Sequence, residues 1–236
     1  MRSQGSSGNA FDGQAVVENV SNSIKVDIWS DIACPWCFIG KRKFEAAAES
    51  FSDGERAVEV EFHSFELAPD TPVDFEGSAM DFLSKHKGMP QAQVTEMLDR
   101  VTDIASSVGL EYNFDAMQHT NTIKAHELLH HAKAHGLQTE MKERLLRAYF
   151  EEGRHVGHIA ELADLAAEVG LDRDEVVKAL DEGIYLDDVN SDKEQAMDYG
   201  ISGVPFFVID GKYAVSGAQE SATFEQALNT AWSERA

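Results

Sequence analysis

The sequence predicts an α/β fold in which two strand-containing segments enclose a long all-α helical insertion. Three patterns predict it: strand, helix, strand near the amino end; strand, strand, helix at the carboxyl end; and helical periodicity between them. At 236 residues the chain suits one domain with an insertion or two small domains. We expect a disordered tail over residues 1–23, the first part of the sheet domain over 24–72, the helical insertion over 73–190 and the second part of the sheet domain over 191–236.

The first part begins with alternating apolar and polar residues over 24–29, which predict a strand. Residues 35–50 then carry an apolar stripe at helical spacing, and Pro35 suits a first helical turn. Alternation returns over residues 58–65 and predicts a second strand.

The middle of the chain is predicted to be helical over residues 73–199. Asp172 followed by Glu175, and Ser191 followed by Glu194, indicate two helix starts with capping side chains. Three helices are expected to stop at a Gly-Leu pair, because glycine tolerates the left-handed conformation that often ends a helix. These pairs are Gly109-Leu110, Gly136-Leu137 and Gly170-Leu171.

The last part predicts a strand over residues 204–209, a hairpin turn at Asp210-Gly211, a strand over 213–216 and a helix from 221 to about 232. Pro205 falls inside the first of these strands, although proline cannot donate a ladder hydrogen bond. The residues alone leave a cis Val204–Pro205 bond and an edge-strand or trans proline both open.

Charge and composition exclude several functions. Forty-two Asp and Glu against 20 Lys and Arg give a formal charge of −22, so nucleic acid and anionic membrane surfaces are not expected as partners. No apolar run is long enough to predict a membrane span. Residues 1–23 lack the pattern of a signal peptide, and we therefore expect a cytoplasmic protein.

The two cysteines form the motif Cys34-Pro35-Trp36-Cys37, between the first strand and the first helix. This placement predicts dithiol exchange, with Cys34 as nucleophile and Cys37 as resolving thiol. A helix N-terminus can lower a thiol pKa from about 8.5 to about 3.5–7.5, and we expect this at Cys34. A zinc half-site or two ordinary buried cysteines would be the alternatives, but the chain has no second CxxC.

Four stretches carry a family pattern: residues 30–41, Asn121-Thr122 with Ala125-His126, residues 200–209, and Ser216-Gly217-Ala218-Gln219. From about Ile24 to the end, the chain resembles the cytoplasmic FrnE-like branch of the DsbA family. The resemblance implies a thioredoxin-like domain interrupted by an all-α helical insertion domain.

The resemblance also implies function. We expect a thiol–disulfide oxidoreductase that acts on disulfide-containing proteins or peptides, has no cofactor, and is recharged by a low-molecular-weight thiol or a reductase. In the family the proline matching Pro205 is cis and faces the CxxC, and the backbone of Val204 would pair with an extended substrate. Pro35 and Trp36 complete the expected substrate-binding surface.

Two other functions compete. Kappa-class glutathione transferases and 2-hydroxychromene-2-carboxylate isomerases are related to this family. They carry serine at the position of Cys34, and Ser-Asp where this chain has Ala218-Gln219. A glutathione-dependent transferase or isomerase is therefore the second candidate function. The stretch from His126 to His130 matches HExxH, with Glu151 as a possible third ligand, and would make a zinc metalloprotease. We expect no metal, because the redox family pattern already accounts for His126.

Overall fold

The computed structural model describes residues 22–52 and 54–235. The tail expected over residues 1–23 lies outside the described residues except for its last two positions. The described residues form four strands and nine helices. In chain order these are β1 Ser23–Ser30, α1 Pro35–Phe51, β2 Ala57–Ser64, α2 Ala79–Lys87, α3 Gln91–Ser107, α4 Ile123–Ala134, α5 Gln138–Phe150, α6 Ile159–Glu168, α7 Arg173–Asp181, α8 Leu186–Asp198, β3 Phe206–Ile209, β4 Tyr213–Ser216 and α9 Ser221–Ser233.

The four strands form one sheet in the order β2-β1-β3-β4. Strand β1 pairs in parallel with β2 and antiparallel with β3, which pairs antiparallel with β4. Helices α2 to α8 are inserted in the chain between β2 and β3. This is the predicted α/β fold, a thioredoxin-like sheet segment interrupted by helices. None of the helices in the described ranges is long and apolar enough to cross a membrane.

The hairpin between β3 and β4 turns at Asp210 and Gly211, as predicted. Both residues have positive φ, 53° and 65°, which matches a turn whose twist suits antiparallel strands. The strand predicted over residues 204–209 was too long at its start, since β3 begins at Phe206. Pro205 has no N–H to give to a ladder, and Val204 directs its carbonyl to Cys34.

The three predicted Gly-Leu stops are confirmed. Each glycine has positive φ, and each following leucine donates its backbone N–H back to an alanine carbonyl, at 2.9–3.0 Å. Asp172 also caps α7 as predicted, because its side chain accepts from the N–H groups of Asp174 and Glu175. The start predicted at Ser191 was wrong. Helix α8 begins at Leu186, with two acidic residues in its first turn that favour a helix N-terminus, and Ser191 is exposed inside it.

Helix α1 belongs to two hydrophobic cores. Phe38 and Ile39 pack with the inserted helices, whereas Phe44 and Phe51 pack with the sheet and α9. A third cluster on β1 and β3 is centred on Trp29 and contacts Ala196 of α8. The amino end of α1 therefore lies where the helical insertion meets the sheet.

Two polar contacts fasten the insertion to β2, an edge strand of the sheet. The Gln138 side chain of α5 accepts from the backbone N–H of Phe62 at 2.9 Å and donates to its carbonyl at 2.8 Å. The His63 ring lies between Asp27 of β1, at 2.8 Å, and Asp192 of α8, at 2.7 Å. Asp192 also lies 3.0 Å from His130 of α4.

Candidate active site

The cysteine motif lies at the start of α1. Cys34 is the N-cap residue, Pro35 opens the helix and Cys37 lies within its first turn. Both cysteines are free thiols. Each is only 3% exposed, so the two thiols are equally buried. Trp36, between them, is 39% exposed and forms the surface of the turn.

The second chain segment at the site is the loop before β3. The Val204–Pro205 peptide bond is cis, and the Val204 carbonyl accepts from the Cys34 thiol at 3.5 Å. Gly40 of α1 allows this approach, because a Cβ atom there would lie 2.9 Å from Cγ of Pro205 and 3.4 Å from Cβ of Ala218. The structure thus brings all four predicted substrate-binding residues, Pro35, Trp36, Val204 and Pro205, to the segments around Cys34.

The two thiols titrate as a pair, because a hydrogen bond between their sulfurs lets them share a proton. This bond and burial raise the pKa of Cys34 well above its usual range. Burial also opposes ionisation of Cys37, but the same bond and the nearby Lys142 ammonium hold the pKa of Cys37 below its usual range. The sequence predicted a lowered pKa at Cys34; in this free dithiol the direction is the opposite, since the pKa of Cys34 is raised and that of Cys37 is lowered.

Lys142 is a buried cation under the motif. It comes from α5, is 1% exposed and lies over the Phe62 ring at 5.6 Å from its centroid. Its ammonium has no hydrogen-bond partner among the described residues. Burial lowers the pKa of Lys142 to about 8, against the attraction of the two cysteines and Asp31.

Asp31 connects the motif to the insertion. Its carboxylate accepts from the N–H groups of Ala33 and Leu67 and from the Thr122 hydroxyl, and it lies 3.3 Å from Nε2 of His126. Burial opposes ionisation, but the contact with His126 and these donors hold the pKa of Asp31 below its usual range. A fixed negative charge therefore lies beside the cysteines.

The family model of the DSBA-like thioredoxin domain matches residues 25–229. The chain belongs to this family.

Three relatives of this DSBA-like chain illustrate the match. It is 32% identical to the uncharacterized protein YwbO of Bacillus subtilis (strain 168) over 209 residues, 88% of this chain and 96% of YwbO. The crystal structure of the probable DsbA oxidoreductase SCO1869 from Streptomyces coelicolor is 40% identical, covers 90% of this chain and 92% of that one, and has a TM-score of 0.83. The cytosolic disulfide reductase DsbM from Pseudomonas aeruginosa, also solved with GSH, has the same fold at 20% identity, with 89% and 98% of the chains covered and a TM-score of 0.62. These matches confirm the resemblance to the DsbA family and fit its FrnE-like branch.

The HExxH stretch of this DSBA-like chain does not converge on one point. His126 faces Asp31, whereas His130 faces Asp192. Glu127 is fully buried and pairs with Lys124 at 2.8 Å, and Glu151 accepts from the N–H of Glu111. In the described ranges, no group of ligating atoms close enough to hold a metal ion includes either histidine.

Sequence patterns missed three residues of this DSBA-like site. Tyr112 donates its hydroxyl to the Pro35 carbonyl at 2.6 Å and fixes the motif turn, and Gly40 and Lys142 have the roles given above. Only Lys142 carried a usable signal, since it lies at helical spacing from Leu145 and Tyr149 on a buried stripe, where a lysine is unusual.

Proposed function

We propose that the chain is a thiol–disulfide oxidoreductase that exchanges disulfides with protein or peptide substrates through Cys34 and Cys37. The observation that carries the proposal is the pair of free thiols at the start of α1, with the Cys34 sulfur 3.5 Å from the Val204 carbonyl. Membership of the DSBA-like family supports oxidoreductase chemistry in general. No cofactor takes part in this chemistry, and we propose a cytoplasmic location.

The proposed reaction moves two electrons and breaks one disulfide bond. The Cys34 thiolate attacks a substrate sulfur, the substrate S–S bond breaks, and the departing thiolate takes up a proton. Cys37 then gives up its proton and attacks the Cys34 sulfur, which releases the second substrate thiol and leaves a Cys34–Cys37 disulfide. A low-molecular-weight thiol or a reductase restores the dithiol, and the same steps in reverse oxidise a substrate.

In this proposal, substrate binding frees the Cys34 thiol from its hydrogen bond to the Val204 carbonyl. An extended substrate that pairs with the backbone of Val204 takes over the carbonyl to which the Cys34 thiol now donates. Pro35, Trp36 and Pro205 surround that segment, and the exposed Trp36 ring offers an apolar contact. The helix N-terminus then stabilises the freed charge on Cys34.

The decisive test is the asymmetry between the cysteines. We expect Cys34→Ser to abolish exchange, because a serine hydroxyl is a far weaker nucleophile at neutral pH. Cys37→Ser should still attack and then accumulate mixed disulfides, since nothing within the protein can displace the substrate. Non-reducing gels of lysates should show adducts for Cys37→Ser that disappear with dithiothreitol and are absent from the double variant. Adducts trapped by Cys34→Ser instead would reverse the assignment.

Glutathione-dependent chemistry is the second candidate, because the related DsbM was also solved with GSH. In this chain the Gln219 side chain donates to the Ser216 carbonyl and offers no carboxylate for an amino group. We therefore expect substrate disulfides to be reduced with dithiothreitol as the sole thiol. Turnover that requires glutathione and survives Cys37→Ser would favour this candidate.

A further inference from the structure

A cavity of about 250 Å³ lies against Cys34 and extends between the motif and the inserted helices. Its wall is mainly apolar and includes Phe82, Leu98, Val101, Phe114 and Phe150. Cys34 lines the cavity, and Cys37 does not. The lining residues Trp36 and Leu67 are exposed, so the cavity reaches the surface beside the reactive turn.

The volume suits an aromatic group. Dry apolar cavities of about 150 Å³ already take up benzene. At about 250 Å³ this cavity has room for one ring and a short linker to the sulfur. The wall also contains the ionised Asp31, and the chain carries a formal charge of −22, so an anionic group is disfavoured there.

One polar atom in the wall has no partner. His119 lines the cavity and is 7% exposed; its Nδ1 lies 2.9 Å from the Tyr149 hydroxyl, but its Nε2 has no hydrogen-bond partner among the described residues. Buried polar atoms are rarely left unbonded. Nε2 itself has almost no accessible surface, so His119 contributes the face of its ring to the cavity wall and no hydrogen bond to a ligand.

We infer that the cavity is a binding site for low-molecular-weight disulfides in which an uncharged aromatic group lies close to the reacting sulfur. The aromatic ring fills the apolar cavity, and the reacting sulfur lies at Cys34. This rests on the proposed function. In the balanced reaction, one low-molecular-weight disulfide and the Cys34–Cys37 dithiol give two small thiols and the Cys34–Cys37 disulfide.

The test compares two disulfides with matched leaving groups, those of N-acetylcysteine benzylamide and N-acetylcysteine methylamide. The reduced protein is mixed with each, without other thiols, and its oxidation is followed by tryptophan fluorescence. We expect the second-order rate constant to be about tenfold higher for the benzylamide, as for other apolar pockets that gain a bulky group. N-benzylacetamide, which has no sulfur, should compete, and N-methylacetamide should not.

Two variants locate the effect. Val101→Phe fills the cavity, so the ratio of the benzylamide rate constant to the methylamide rate constant should fall towards one. Leu186 is exposed on α8, and Leu186→Phe should leave that ratio unchanged. If Val101→Phe does not fold, competition by N-benzylacetamide in the unmodified protein still shows whether the protein binds the aromatic group. Equal rates for both disulfides without competition overturn the cavity site. If N-benzylacetamide binds but neither disulfide oxidises the protein, the site is supported and the proposed exchange function fails.

Discussion

At the scale of single residues, Gly40 shows how one missing methyl group positions the site. The residue lies within α1, where glycine costs about 1 kcal/mol relative to alanine. Its lack of a Cβ lets the rigid Pro205 ring lie against the helix. The helix gives up some stability so that the Val204 carbonyl can reach Cys34.

We predict that Gly40→Ala lowers the rate of disulfide exchange by about tenfold or more, because displacement of Pro205 moves the Val204 carbonyl away from Cys34. Overpacking costs about 1–3 kcal/mol, which offsets the gain in helix propensity, so the free energy of unfolding should not rise. Stopped-flow oxidation and urea unfolding measure the two effects. Ala46→Gly, exposed on the same helix, is the matched control and should lose about 0.5–1 kcal/mol without a change in rate. A Gly40→Ala protein that is both more stable and fully active would contradict this account.

The sequence identified the residues whose chemistry depends on local spacing. Cys34 and Cys37 follow a strand and open a helix, and that context is visible along the chain. Tyr112 and Lys142 reach the motif from distant helical segments, and no local pattern records their approach. Their partners are set by tertiary packing.

At the scale of elements, Gln138 supports the edge of the sheet. Its side chain bonds both backbone groups of Phe62, on the strand that has no further strand beside it. An edge strand otherwise leaves such groups unpaired. Helix α5 thus completes β2 and at the same time brings Lys142 below the motif.

We predict that Gln138→Met lowers the free energy of unfolding by about 1–3 kcal/mol, because a buried N–H and carbonyl lose their partners. Urea unfolding at neutral pH measures the change. Gln93→Met, exposed on α3, is the control and should stay within about 0.5 kcal/mol of the unmodified protein. Equal effects for the two variants would show that the contact with Phe62 does not stabilise the fold.

Element boundaries were predictable where one residue type decides them. The three Gly-Leu stops depend on positive φ at glycine, and all three were correct. The start at Ser191 failed, because a capping pattern also occurs by chance inside a helix whose real start has no capping side chain. The pairing of β1 with β3 joins segments that are distant in the chain, and no local pattern records it.

At the scale of the whole molecule, a buried charge network holds the helical insertion against the sheet. His63 lies between Asp27 and Asp192, and its ring stacks on Trp29 at 4.5 Å between centroids. Burial opposes protonation, but the two carboxylates raise the pKa of His63 from 6.5 to about 9. The ring is therefore protonated in the folded protein at neutral pH.

The raised pKa predicts a pH-dependent contribution to stability. A histidine whose pKa is higher in the folded than in the unfolded state stabilises fully below about pH 6.5 and loses that contribution as pH rises through about 9. We expect His63→Gln to cost about 3 kcal/mol more at about pH 6 than at about pH 9.5. Urea unfolding at both pH values measures it, with the exposed His158→Gln as control. A cost that does not change with pH would mean that the ring is neutral in the folded state.

The long insertion also determines the order in which the site is made on the ribosome. Cys34 and Val204 are 170 residues apart, so at about 5–20 residues per second the cysteine waits roughly 10 to 30 s for the carbonyl that accepts its hydrogen bond. During that time β2 is available to pair with β1 but β3 is not, and the inserted helices α2 to α8 are being synthesised. The nascent chain therefore carries an unshielded dithiol and an open strand edge until its last segment emerges.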